Sequence, residues 1–306
     1  MRQRTNATLF HMKTFRKHQL LLVCTILLLV LAAGLAFYLR SRNASPGLSH
    51  EEPALTVTNL NVGKADCAVI RSGDTIGIID TGTEESYRIL DAWLKERRIK
   101  DIDYLILTHY DRDHIGGAIQ LLKDRTVETV YLADYESEKA LYPALMDALS
   151  GKPQATFVKT ATELAFDDLS VQILPAEDPA PLLADPNTRD NNMSLVCMLT
   201  YGENRLLFAG DIEKDRIRQM LDTGEDLDAD WIKWPHHGKY QKIDSEFLDQ
   251  VTPEYVVIST SEEKAPSEKL DELLSSEQIE RFCTIDGNME TVSDGHMLHV
   301  QKEAAK

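Results

Sequence analysis

Beyond residue 54 the chain alternates short apolar runs, rich in β-branched residues, with segments whose apolar positions recur at helical spacing. That alternation predicts an α/β domain. Leu55–Leu60, Ala68–Arg71 and Thr75–Ile79 read as strands punctuated by Gly63 and a Ser72-Gly73-Asp74 turn. Tyr87, Leu90, Trp93 and Leu94 give 84–97 the stripe of an amphipathic helix. A strand follows over 104–107, a helix over 115–122, a strand over 127–132 and a helix over 138–149. The second half opens with a strand at Leu169–Leu174 and a Pro- and Asp-rich loop from 175 to 192. A hairpin of 194–200 and 205–208 comes next, then a helix over 213–221 and a further strand from Trp231.

The N-terminal segment breaks this pattern. Leu20 to Leu39 is 20 residues without a charge, enough at about 1.5 Å per residue to cross a hydrocarbon core about 30 Å thick. It predicts a transmembrane helix at 20–39. A cleaved signal peptide, with Gly34-Leu35-Ala36 as a small-x-small site, is the alternative, but the run exceeds the roughly 7–15 apolar residues usual there. Arg2, Arg4, Lys13, Arg16 and Lys17 precede the span, so a cytoplasmic tail (1–19) and an extracytoplasmic domain (54–306) are expected, joined by a polar tether (40–53). Cys67, Cys197 and Cys283 sit in apolar runs without Cys-x-x-Cys spacing, which argues against a disulfide framework or a thiolate zinc site.

Chemistry gathers where the apolar runs stop. Tyr104–Leu107 gives way to Thr108-His109-Tyr110-Asp111-Arg112-Asp113-His114, followed by Gly116-Gly117. Residues 109, 111 and 113 alternate, so an extended loop would point them to one side, with His114 turned back by the glycine pair. Taken singly, such residues are ordinary loop histidines and helix caps; two imidazoles and two carboxylates within six residues point to a metal site. Asp211 follows another strand and a Gly, where, from these residues alone, capping the next helix is the better reading. The strand beginning at Trp231 runs into Pro235-His236-His237-Gly238. Strand ends along one sheet edge are where α/β proteins assemble sites.

The first of these motifs resembles the His-x-[His/Asp]-x-Asp-His signature of the metallo-β-lactamase superfamily. The ordered set Asn61–Ala68, Ile79–Gly82, Thr108–Gly117, Ser194–Val196, Gly210-Asp211, Pro235–Gly238 and Ser293–Gly295 resembles the metallo-β-lactamase-like domain of ComEC-type competence proteins. This likeness implies an αββα four-layer sandwich and a two-metal site. Carried over by motif, His109 and Asp111 fall at the first metal position and Asp113 and His114 at the second. Asp211 bridges, and His237 is the last second-site ligand; Asp113 and His237 are the ligands expected to serve catalysis. Asp66, Asp80, His236 and Lys239 are expected around them as outer-shell or substrate contacts. Two divalent ions, zinc or manganese, would there share a hydroxide for attack on a phosphorus or carbonyl centre. The chain departs from the ComEC type at Lys64-Ala65 in place of Gln-Gly, at Lys239 in place of Ser, and at Lys264-Ala265-Pro266 in place of Gly-His-Pro.

Charge narrows the substrate. Of 33 basic residues five lie in the tail, so 28 face 50 acidic ones in the remainder, a net of −22. A surface so acidic is poorly suited to holding long nucleic acid through counterion release. The expected substrate is a small phosphodiester or nucleic-acid fragment, with membrane attachment through the N-terminal helix. A small ester or lactone, or a non-catalytic binding role, are the competing readings.

Overall fold

The computed structural model describes residues 55–150 and 154–304. In the first sheet β1 (Leu55–Asn59), β2 (Ala68–Ser72), β3 (Thr75–Ile79), β4 (Asp101–Leu107), β5 (Thr126–Ala133) and β6 (Gln154–Val158) lie side by side. β14 (Met289–Ser293) and β15 (Leu298–Lys302) return from the far end of the chain to extend the β1 edge. The second sheet runs in the order β13 (Glu280–Cys283), β12 (Tyr255–Ile258), β11 (Trp231–Lys233), β10 (Asn204–Phe208), β9 (Val196–Tyr201), β8 (Leu169–Leu174) and β7 (Thr162–Phe166).

Side-chain alternation along β9 shows why the sheets stack. Cys197, Leu199 and Tyr201 enter the core shared with the first sheet, whereas Val196 and Met198 join a second cluster with Ile217, Phe247 and Leu270 from the covering helices. Both faces are buried, so the strand has no solvent side. Each sheet contains a parallel block, β3 to β6 in one and β10 to β13 in the other. Helices Tyr87–Glu96, Ala118–Asp124 and Tyr142–Leu149 make the first set of crossovers, and Lys214–Thr223, Asp244–Val251 and Glu268–Ser276 the second. The result is the expected αββα sandwich.

Four local expectations change, the plainest being that the helix expected over 138–149 begins only at Tyr142. The first helix begins at Tyr87, because Thr83 and Ser86 exchange hydrogen bonds in a tight turn before it (Thr83 N–H to Ser86 Oγ, 2.8 Å; Ser86 N–H to Thr83 Oγ1, 3.1 Å). The helix expected over 115–122 is two, Arg112–Ile115 and Ala118–Asp124. The loop 175–192 holds short helices at Pro179–Leu183 and Arg189–Asn192, the first capped by Asp178 accepting from Ala180 N–H at 3.3 Å. The expected tail, span and tether (1–19, 20–39, 40–53) lie outside the described residues. Among the described residues no helix is long and apolar enough to cross a membrane.

Candidate metal centre

Because β3 and β4 are parallel, and β10, β11 and β12 likewise, their C-terminal ends bring Asp80, His109, Asp211, His237 and Ser259 to one rim of the sandwich. Asp80 organises the first-sheet side. Its backbone is held left-handed, φ 56°, at the end of β3, a conformation that costs a non-glycine residue energy and recurs at functional sites. Its carboxylate accepts from Thr108 N–H and Thr108 Oγ1, each at 2.8 Å, and from His114 Nδ1–H at 2.7 Å. With the Thr108 hydroxyl proton committed to Asp80, the 3.1 Å contact of Thr108 Oγ1 with His109 makes Nδ1 of that ring the donor. On the other sheet His237 Nδ1–H donates to the Ser259 carbonyl at 3.0 Å. Each ring, when neutral, therefore turns an Nε2 lone pair to the centre, the arrangement by which outer hydrogen bonds set a ligand's tautomer.

His237 reaches that position through a strained turn. His236, His237 and Gly238 all have positive φ, at 49°, 53° and 80°. A Cβ on residue 238 would stand 2.9 Å from Pro266 Cβ, so glycine is required both for conformation and for space. The turn sends His237 inward, where Nε2 is 3.4 Å from Asp211 Oδ2 and from Asp113 Oδ2. His236 goes outward to within 3.5 Å of Glu213.

Beneath the cluster lies Lys233, 3% exposed. Alternation along β11 puts Trp231 and Lys233 on the inner face, with Ile232 on the outer. The ammonium ion-pairs with Asp66, donates to the Gly210 carbonyl at 3.1 Å and lies 3.7 Å from Asp211 Oδ1. Burial disfavours its charge, but Asp66 and Asp211 hold its pKa above the usual value.

The electrostatics are those of a site built for cations. Burial raises the carboxylates, yet Asp66 is held down by Lys233, and Asp211 by His237 and His114. Asp113 is depressed by the nearby His237 and His114 rings against the same burial. Burial lowers His109 to about 3, so that ring is neutral. Burial also opposes charge on His114 and His237, but Asp211 outweighs it, helped by Asp80 at His114 and by Asp66 at His237; His237 rises to about 9. The Nε2 atoms of His109, His114 and His237, with one oxygen each of Asp66 and Asp211, are buried without a hydrogen-bond partner. Buried orphans of this kind are costly unless something else satisfies them. The ligand atoms of His109, His114 and Asp211 lie within 4.8 Å of one another, as do those of Asp113, His114 and His237, and those of Asp66, Asp211 and His237. This donor set of imidazole and carboxylate fits divalent ions.

The structure thus brings together His109, Asp113, His114, Asp211 and His237, with Asp66 and Asp80 behind them. Asp111, expected beside His109, instead pairs with Lys139 at 2.6 Å. Its backbone is extended, but residues 112–115 then coil into a helical turn, so the loop does not continue the alternation that would align 109, 111 and 113. Gly116 and Gly117 do not reverse the chain: Gly116 is helical (φ −59°). They are glycines because an added Cβ would lie 2.6 Å from Glu84 N in one case and 2.5 Å from the Thr81 carbonyl in the other. His236 and Lys239 both face Glu213 at the rim, Lys239 at 3.2 Å. Sequence reasoning missed Lys233; its signal was a lone lysine inside the apolar run Trp231-Ile232-Lys233-Trp234, where a buried charge demands a partner.

The metallo-β-lactamase superfamily profile matches residues 60–262. ComE operon protein 3 of Bacillus subtilis is 28% identical over 249 residues, covering 73% of this chain and 31% of that protein. Competence protein ComA of Neisseria gonorrhoeae is 25% identical over 253 residues, covering 78% and 33%. The chain spans about a third of these relatives' length. Among solved structures, the metallo-β-lactamase fold protein YhfI from Bacillus subtilis superposes with a TM-score of 0.53 at 12% identity, over 81% of this chain and 100% of that one. The E377D mutant of the β-hydroxylase CmlA gives 0.54 at 14%, over 83% and 55%; both likenesses concern the fold alone. The chain belongs to the metallo-β-lactamase superfamily, and its relatives within it are ComEC-like competence proteins.

Proposed function

We propose that this protein is a metal-dependent phosphodiesterase that acts on small or short phosphodiesters, held at a membrane by its N-terminal segment. The observation that carries the metal-dependent part is the convergence of three orphaned Nε2 atoms on Asp211. His109, His114, Asp113, Asp211 and His237, with Asp111 at the mouth, would hold two ions. When bound, such ions polarise a phosphoryl oxygen, activate water and neutralise charge developing at phosphorus.

The residues themselves supply placement. Asp80 and Thr108 hold the His109 and His114 rings, Ser259 holds His237, and Lys233 keeps Asp66 charged and lies against Asp211. The ligand histidines are buried whereas Asp111 and Asp113 are partly exposed, so the accessible part of the site is the one where Lys64 and Lys139 pair with those carboxylates, with Lys239 on Glu213 at the rim. Lysines there favour an anionic phosphodiester over a neutral ester or lactone. The relatives' names favour a role near nucleic acid, whereas the net charge of −22 beyond the tail favours short substrates over long ones. Twenty uncharged residues at 20–39 support a membrane anchor.

The test is metal analysis of the purified protein, then assays with manganese or zinc on bis-(p-nitrophenyl) phosphate, dinucleotides, DNA, RNA and a lactone panel. Hydrolysis of phosphodiesters that stops on chelation and returns with the ion is expected. Lactone turnover with no phosphodiester turnover would replace this reading with the small-ester one.

A further inference from the structure

Two of the mouth lysines are attached to ligand-candidate carboxylates. Lys139, from the loop after β5, meets Asp111 at 2.6 Å, and Lys64, from the loop after β1, meets Asp113 at 3.4 Å. Both side chains stay partly exposed, Lys139 at 40% and Lys64 at 36%. Lys233 is different: it is sealed under the cluster, with no room to leave.

We infer that Lys64 and Lys139 are exchangeable counter-ions: they occupy Asp113 and Asp111 in the metal-free protein and, when divalent ions take those carboxylates, turn to bind the phosphates of the substrate. The substrate class this implies is a phosphodiester carrying a second anionic phosphate next to the scissile one, such as a 5′-phosphorylated dinucleotide. The substrate half of the inference rests on the phosphodiesterase reading; the ion-exchange half does not.

Coulomb attraction favours the exchange. A divalent ion carries twice the charge of an ammonium and approaches a carboxylate oxygen to about 2.0–2.2 Å, closer than either lysine stands. The charge balance then selects the substrate. Counted with His109, His114 and His237 as the neutral rings that metal ligation requires, Asp66, Asp80, Asp111, Asp113 and Asp211 bring five negative charges against three from Lys64, Lys139 and Lys233, a deficit of two. Two divalent ions convert it to an excess of two, next to the partly exposed Asp111 and Asp113. An uncharged ester leaves that excess uncompensated, while a diester with a neighbouring terminal phosphate, at about −2.5 to −3 near pH 7, compensates it in full.

The experiment uses the full-length protein, its Lys64→Met and Lys139→Met variants, the double variant, and Lys123→Met, an exposed lysine away from the site, as control. Calorimetric titration with Mn²⁺ alone is expected to show affinity rising about three- to tenfold in each mouth variant and unchanged in the control, because a competing cation is gone. Binding of a 5′-phosphorylated dithymidine phosphorothioate is expected to require Mn²⁺ and to weaken about tenfold per lysine removed, with KM raised and kcat nearly constant for the hydrolysable dinucleotide. Mn²⁺ affinity unchanged or weakened in the double variant overturns the exchange, whatever the enzyme hydrolyses. Raised Mn²⁺ affinity in a protein that hydrolyses no phosphodiester supports the exchange and removes the phosphodiesterase reading. Raised Mn²⁺ affinity with unchanged dinucleotide binding overturns the substrate half alone.

Discussion

His236 and His237 are neighbours in the chain, yet only the second reaches the cluster, and the left-handed turn that separates them also exposes its Nε2 to two carboxylates. Without metal the imidazolium is held by Asp211 and Asp66, which lift its pKa from 6.5 to about 9 against burial. Because the folded value exceeds the unfolded one, the stability this contributes is complete below about pH 6.5 and disappears as pH rises through about 9. Chelator-treated protein should therefore lose about 3 kcal/mol across that window in urea melts, and the metal-loaded protein should not, since a ligating ring is neutral already. Metal binding at pH 7 should also release protons, measurable by calorimetry in buffers of different ionisation heat. Removal of Asp113 and His114 together, as alanines, should abolish bound metal and hydrolysis while circular dichroism stays native, because ligands at strand ends are placed by the sheets without building the core. Full activity in that variant would end the metal assignment.

At the scale of elements, β11 shows what the sandwich demands. Three residues long, it puts Trp231 into the inner core, Ile232 into the outer one and Lys233 back inside, where the only acceptable surroundings for an ammonium are Asp66, Asp211 and the Gly210 carbonyl. Lys233→Met should destabilise the fold by about 3–5 kcal/mol by leaving Asp66 buried and uncompensated. Adding Asp66→Asn should recover a large part of the loss in the same denaturant melts. A Lys233→Met protein as stable as the parent would show that the pair is not a structural one.

For the whole molecule, charge sets the reach of the site. With −22 spread over everything after the tail, long duplex DNA should bind weakly at physiological salt, with fluorescence anisotropy giving affinity no better than about 10⁻⁵ M and a shallow salt dependence. Tight, salt-sensitive binding with processive degradation would overturn the preference for short substrates. If residues 20–39 anchor the chain with the basic tail inside, protease added to intact cells should release the domain; protection lost only on lysis would reverse that orientation.

The sequence by itself determined which residue types stand at the ends of apolar runs. His109, Asp113, His114, Asp211 and His237 were legible because a buried strand must be apolar and its end need not be, and because their order matched a family. Strands such as Thr75–Ile79 and Leu169–Leu174 were legible for the same reason of periodicity. What the pattern of residues did not determine, outside the motifs that matched a family, was how distant segments approach one another. β14 and β15, joining the β1 edge from more than 200 residues away, carried no local sign of that pairing. Only the tertiary structure decided that Asp111 turns to Lys139, that Asp80 fixes two imidazoles through one carboxylate, and that Lys233 belongs to the site. Each is a contact between charges or hydrogen-bonding groups far apart in the chain, and such contacts are set by how the two sheets face each other, which periodicity along one strand does not encode.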